Sequence, residues 1–405
     1  MIHILRRILI YTAICVLVFT SCAFAANDIS NAAPPVKALK NLYDSNRDFR
    51  VTMDQALENM QAPDPATKNL WPSSVSVNPW KGKKFEDVLK FFNDWYFLQP
   101  EPDGANDEFN FIETFAWFYY KNKYGQQFVG KEPGLGWCRD FAAARGKVME
   151  TKESTVTVPK WMADPSIHME QYVVPPEGYK TFNDFFIRDM KPGARTVASP
   201  TDDSVLVAPT DCVLTMINPL SPETKIQTKL NQKLNVKELL KGSEYAKYFE
   251  NGTAISCILL TNTYHHYHAV VSGRVVESRE DVAGQYSGIQ DFGSFINAGN
   301  IGYGSSYSVF ENFRRGYFII ETAQYGHVAM IPVGLDTIGS VVFEDKVKKV
   351  NPSNPVYVSK GEKLGHFSYG GSLVITLIEQ GISSITIPQG QQIGVFKKKK
   401  TPASK

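Results

Sequence analysis

Gly370-Gly371-Ser372 stands directly before a largely apolar run, Leu373 to Ile378, closed by Glu379. A glycine pair feeding a buried strand is ordinarily a turn. The same order also suits self-cleavage. The Ser372 hydroxyl could attack the carbonyl carbon of Gly371, because a glycine there has no Cβ to block the approach and tolerates unusual φ/ψ. The ester so formed could undergo β-elimination to dehydroalanine, and hydrolysis would leave a ketone on a new N-terminus.

Tyr264-His265-His266-Tyr267-His268 holds three of the seven histidines. Three readings compete for it. The first is a metal site, but in an extended segment His265 and His268 point to opposite faces. No Asp, Glu or Cys companion lies near at ligand spacing, so the metal expectation is none. The second is a set of core histidines with satisfied nitrogens, which suits His266 best. The third is a base and a proton donor beside a reactive group. Asp211, in Ala208-Pro209-Thr210-Asp211, is either a turn aspartate bonded to its own backbone or the orienter of a histidine. Taken together, Ser372, His268 and Asp211 make a closed scheme. His268 takes the serine proton, Asp211 steadies the ring, and Ser372 attacks Gly371.

Elements must position these residues. Phe85, Val88, Leu89, Phe92, Trp95 and Tyr96 follow helical spacing. Phe111, Phe115, Phe118 and Tyr119 mark a second helix, and Arg139 to Glu150 a third. Residues 26–50 read as a polar lead and 51–80 as irregular connections. A helical domain over 26–165 follows from this, with no catalytic residue in it. After a proline-bearing linker, Thr181 caps a short helix with Asp184 three residues on. From there the texture is β. The short runs include Val205–Val207, Val213–Ile217, Ile255–Leu260, Ala269–Val271, Tyr317–Glu321, Val328–Pro332, Ile338–Phe343 and Leu373–Ile378. One helical stretch, Val236 to Phe249, interrupts them. Crossover helices between the later strands are missing, so the expected class is α+β with mainly antiparallel strands.

Composition narrows the classes further. The chain has 405 residues, 43% hydrophobic and 21% charged, ample for a sizeable core. Residues 1–25 carry Arg6 and Arg7, an apolar stretch from Ile8 to Phe19, and Ala23-Phe24-Ala25, the three parts of a secretory signal. A lipid-bearing Cys22 and an uncleaved anchor are the alternatives. The expectation is an exported protein, periplasmic or secreted. Losing the two arginines would take the formal charge from +2 to zero, and nothing global draws the chain to nucleic acid. The tail at 397–405 holds Lys397 to Lys400, a solvated end or a contact with an anionic membrane surface worth about 1 kcal/mol per lysine. Beyond residue 25 the cysteines are Cys138, Cys212 and Cys257, so at most one internal disulfide can form.

Four stretches together resemble the phosphatidylserine decarboxylase proenzyme family. They are Thr181 to Arg195 with its Lys191-Pro192-Gly193 stop, Val207 to Asp211, Tyr264 to His268 with Ser272-Gly273, and Lys360 to Phe367 running into Gly370-Gly371-Ser372. The resemblance covers about residues 179–396 and is specific in its motif order. It implies a pyruvoyl group made from Ser372 by cleavage after Gly371, with Asp211 and His268 completing the cleavage triad. It also implies decarboxylation through a Schiff base, with His265 moving the proton. The substrate would be phosphatidylserine or another amine-bearing carboxylate, and the partners the protein's own two chains. Two positions depart from the family pattern: Cys212 stands for the glycine after the aspartate, and Leu373 for the threonine after the serine. A helical domain before the decarboxylase region is also similar to a soluble branch acting on aromatic amino acids such as tryptophan. Two other classes stay open, an exported binding protein with an intact Gly371–Ser372 bond and a zinc hydrolase built on His265 and His268.

Overall fold

The structure, a computed structural model, describes residues 29–59, 78–102, 108–119, 122–220, 226–227, 233–234, 236–260, 262–282, 284, 314–335 and 340–381. The signal-like segment 1–25 and the lysine tail lie outside the described residues.

The first half is helical. Its helices are α1 (Pro34–Ser45), α2 (Arg47–Glu58), α3 (Phe85–Phe97), α4 (Glu108–Tyr119), α5 (Lys123–Gly130), α6 (Gly134–Met149) and α7 (Val158–Ala163). Residues 34–58 therefore form two helices, where a polar lead was expected to residue 50 and irregular connections beyond it. Pro34 and Pro35 open α1 at positions where a missing N–H costs nothing. Asn46 ends α1 and caps α2, its side chain accepting from Phe49 N. α6 begins five residues earlier than its sequence suggests. At Gly134 a Cβ would sit 2.1 Å from the Phe128 carbonyl oxygen, so glycine is what lets α6 close onto α5.

Short α8 (Phe182–Phe186) and α9 (Val236–Leu239) accompany twelve strands among the described residues. These are β1 (Val213–Pro219), β2 (Ile226–Gln227), β3 (Lys233–Leu234), β4 (Thr253–Leu259), β5 (His266–His268) and β6 (Gly273–Val282). They continue with β7 (Arg315–Glu321), β8 (His327–Leu335), β9 (Ser340–Phe343), β10 (Val356–Val358), β11 (Lys363–Ser368) and β12 (Gly371–Ile378). A seven-stranded sheet runs β1-β4-β12-β8-β7-β6-β10, a three-stranded sheet runs β5-β11-β9, and β2 pairs with β3. Every neighbouring pair is antiparallel, so the fold is α+β. The helix expected over 236–249 is broken: Lys241 and Gly242 both adopt positive φ, and a 3₁₀ turn follows from Glu244. Residues 205–207 and 269–271 lie outside the strands, with a bend at 270–271, and are joined by Val207 N donating to Val270 O.

Strand alternation makes three layers. Leu373, Ile375 and Leu377 join Ile258, Ile319, Ile331 and the helical aromatics in one buried cluster. Val374 faces the other way, with Leu259, Phe318 and Met330, onto Tyr267, Phe343, Leu364 and Phe367 of the small sheet. Each such aliphatic side chain contributes about 1.5–3 kcal/mol when fully buried. Within the small sheet the strands crowd at Gly365 of β11, where a Cβ would lie 2.2 Å from the Val342 carbonyl oxygen of β9 and 2.3 Å from the Tyr267 hydroxyl of β5. The far end of β12 is held by Glu379, whose Oε1 accepts from both the backbone N and Nδ1 of His327 at 2.6 Å. Among the described residues no helix is long and apolar enough to cross a membrane.

The helical layer is cemented by rings. Phe92 meets Trp95, Phe115, Trp137 and Phe141 at centroid distances of 4.6–6.1 Å. Replacing Phe92 with alanine should cost about 3–5 kcal/mol, measured as a lower denaturant midpoint with an unchanged slope.

Candidate active site

Ser372 lies at the mouth of β12, opposite Leu259 on one side and Gly334 on the other. It is fully buried, and its Oγ has no hydrogen-bond partner among the described residues. A hydroxyl left this way costs about 1–3 kcal/mol, so it calls for an explanation. Gly370 has φ 146°, a conformation that side chains with a Cβ rarely adopt. Just before it, Tyr369 N donates to Asn183 Oδ1 at 3.0 Å, and the Tyr369 ring packs edge-on against Phe182 and Phe186. Helix α8 therefore grips the approach to Ser372. The helix is capped by Thr181, whose Oγ1 accepts from Asp184 N at 2.9 Å. The Asp184 carboxylate reaches back to Lys180 N, so the reciprocal capping box is not formed. Ser154, from the helical half, accepts from Phe182 N at 2.8 Å and fixes the entry of α8.

His265 stacks on the opposite neighbour of that same ring set. Its centroid is 3.7 Å from that of Phe186, and its backbone carbonyl accepts from Phe367 N at 2.8 Å. Nδ1 donates to Thr263 O at 2.9 Å, which fixes the tautomer. Nε2 is thus a lone pair, buried and without a partner among the described residues. Burial first, then the nearby Arg188 charge, hold its pKa well below the ordinary histidine value.

His268 is satisfied at both nitrogens. Nδ1 donates to Gly361 O at 2.8 Å, and Nε2 accepts from the Tyr264 hydroxyl at 3.0 Å. Asp211 does not hydrogen-bond to it. Its two oxygens accept from Arg195 Nε and Nη2 at 2.9 and 2.6 Å. The turns themselves do meet: Thr210 Oγ1 donates to Tyr264 O, and His268 N donates to Pro209 O. The structure therefore brings the Asp211 turn to the histidine segment, and His265 to the ring set beside Ser372, without a finished serine–histidine–aspartate relay. His266 is a core histidine, its Nε2 donating to Ile187 O at 2.7 Å. Among the described residues no group of three His, Cys, Asp or Glu side chains could hold a metal ion.

Three participants were not read as such from sequence. Tyr264 holds His268. Arg195 holds Asp211. Arg188 is buried against the rings of Tyr172 and Phe185, and its Nη2 donates to Asn262 O and Thr263 O, the latter shared with His265. An arginine directly after three apolar residues at a helix end was the available signal for the last.

Comparison with known proteins fits this arrangement. A profile of the family described as phosphatidylserine decarboxylase matches residues 182–397, just over half of the chain. The chain belongs to the phosphatidylserine decarboxylase family. Among similar relatives, phosphatidylserine decarboxylase proenzyme 2 of Oryza sativa is 29% identical over 245 residues, 60% of this chain and 36% of that protein. The proenzyme of Fusobacterium nucleatum is 29% identical over 235 residues, 58% of this chain and 72% of that one. That of Clostridium novyi is 27% identical over 240 residues, 59% and 75%. The chain thus spans about a third of the rice relative and about three quarters of the bacterial ones. In this decarboxylase-family chain all four quoted motifs surround one buried region, and α1 to α7 precede the matched segment.

The buried histidines predict an acid-labile fold. Burial lowers the His266 pKa from 6.5 to about 4. Between those values the unfolded chain binds the extra proton, so stability is complete above pH 6.5 and lost as pH falls toward 4. The loss from this one group is about 3 kcal/mol. Urea unfolding at pH 7 and pH 4 should show a drop smaller by about that amount in His266→Gln.

Proposed function

We propose that this chain is a phosphatidylserine decarboxylase that generates its own pyruvoyl group by cutting between Gly371 and Ser372. The observation that carries the proposal is the buried, unpartnered Ser372 Oγ, two residues after Gly370 at φ 146°. Attack of that oxygen on the Gly371 carbonyl carbon moves the acyl group from nitrogen to oxygen. Elimination then releases a Gly371 carboxylate and leaves dehydroalanine at 372. Hydrolysis expels ammonia and yields the ketone. For His268 to take the serine proton, the Tyr264 hydroxyl must release Nε2. Asp211, now held by Arg195, must stay charged to favour the imidazolium.

The residues present suit a buried ketone: Ser372 Oγ and His265 Nε2 are both buried polar atoms without a partner among the described residues, and Phe186, stacked on His265, also meets the ring of Tyr369, three residues before Ser372. A pyruvoyl ketone supplies an electron sink for the pair released as CO₂ leaves. His265, neutral with its lone pair at Nε2, takes a proton from the substrate ammonium and returns it to the former α-carbon. The stack on Phe186 and the Thr263 carbonyl keep that nitrogen aimed. Phosphatidylserine as substrate is supported by the family and the named relatives. The order of charged, apolar and small residues in 1–25 supports export, and Lys397 to Lys400 support contact with an anionic membrane surface.

One observation favours a second reading, a soluble amino-acid decarboxylase. The helical half lies outside the matched segment, yet its fully buried Arg145 lies 5.8 Å from the centre of the Tyr369 ring. That layer helps shape the region and could suit a small aromatic substrate.

Purified protein should run as two pieces on a denaturing gel, the smaller being residues 372–405 with a blocked, borohydride-sensitive terminus. Ser372→Ala should stay a single band. An uncut wild-type chain would sink the proposal and favour a binding protein. Cut enzyme should release CO₂ from phosphatidylserine vesicles, and turnover of tryptophan alone would select the second reading. His265→Asn should still cut but lose roughly 10²–10⁴-fold in kcat.

A further inference from the structure

We infer that Cys212 and Cys257 form a redox-active pair that closes to a disulfide, stapling the Asp211 turn to β4. The two come from different parts of the chain and meet through the sheet. In the β1–β4 ladder Leu214 lies opposite Cys257. Cys212 precedes Leu214 by two residues, so pleat alternation turns both sulfurs to the same face. The thiols are hydrogen-bond partners. Cys212 is the donor, which keeps its own proton on and eases ionisation of Cys257, so the pair's thiolate forms at Cys257.

Their environments differ in a way that suits exchange. β1 is an edge strand, with Val213 and Leu214 exposed and Cys212 partly so. Cys257 is buried, two pairs along from the Ser372–Leu259 pairing, opposite Val374 of β12. A small disulfide such as oxidised glutathione can reach Cys212; as Cys212 passes its proton to the Cys257 thiolate, its sulfur attacks the glutathione S–S bond, making a mixed disulfide and expelling the first glutathione thiol, and Cys257 then loses that proton to solvent. The Cys257 thiolate then attacks the Cys212 sulfur and expels the second glutathione thiol. The oxidant's S–S bond takes two electrons and two protons, and the two cysteine S–H groups become one S–S bond. Cys138, fully buried on α6, belongs to a separate site and is an internal control. Both cysteines precede Gly371, so the bond does not depend on whether the chain is cut.

The consequence is local stiffening beside the histidine segment. The turn that carries Asp211 already hangs on Thr210 and Pro209 contacts to residues 264 and 268. A covalent link from the next residue to β4 ties that turn to a direct neighbour of β12. The closed loop, residues 212 to 257, is long enough for the link to constrain the unfolded chain appreciably.

The test uses the full chain, incubated with oxidised glutathione or with dithiothreitol, then alkylated with iodoacetamide under denaturing conditions and mapped by peptide mass. The oxidised sample should give a Cys212–Cys257 linked peptide, two hydrogens lighter than the sum of its parts, with Cys138 alkylated. Its thermal midpoint should exceed that of the reduced sample by roughly 5 °C. The difference should vanish in Cys257→Ser and in Cys212→Ser. Separate alkylation of Cys212 and Cys257 after oxidation would overturn the pair. So would glutathione retained on Cys212 with Cys257 alkylated. A linked peptide with an unchanged midpoint would overturn the staple.

Discussion

The structure depends on the register of β12. It is paired on both sides, to β4 and to β8, along its length from residue 372 to residue 378. Side chains alternate with period two, so a slip of one residue would exchange its faces. In the observed register Leu373, Ile375 and Leu377 enter the helix-side core, and Ser372 and Val374 turn toward the small sheet that holds the histidines. The apolar core thus sets where one hydroxyl points. No polar interaction at the site could do this alone, since Ser372 Oγ makes none among the described residues.

Around that fixed hydroxyl the polar groups are held mainly by backbone carbonyls. Gly361 O holds His268, Thr263 O holds His265 and Ile187 O holds His266. A carbonyl only accepts, so each contact settles which ring nitrogen carries the hydrogen. The result is three imidazoles with predetermined lone pairs. One is capped by Tyr264, and two face buried space. Burial lowers the pKa of all three, which keeps them neutral near pH 7. Arg188 adds to this for His265 by placing a positive charge nearby.

Much of this was legible in the chain. The strand after Ser372 announces itself by composition, and the Thr181 cap by residue type. α3 and α4 show clear helical spacing. α1 and the first turn of α6 were hidden by prolines and glycines whose roles are set by neighbours: helix starts in the first case, close approach to Phe128 in the second. α2 holds neither, and its buried Phe49, Met53 and Ala56 carry the helical spacing that was not read. The site was legible as a set of residues but not as a set of bonds. Asp211 turns to Arg195, sixteen residues away in sequence, while His268 reaches Gly361, ninety-three away. Such partners depend on where turns fall in space, which local propensity does not encode.

The burial of Ser372 has a further consequence for the kind of chain end that can exist there. Ordinary hydrolysis before residue 372 would create an α-amine, and near neutral pH that group is largely an ammonium. At a position with no solvent exposure, flanked by paired strands, its desolvation would cost several kcal/mol. An uncharged keto-acyl end carries no such burden. The depth of the strand mouth thus discriminates between two ways of breaking the same bond, favouring the one that leaves no ammonium at residue 372.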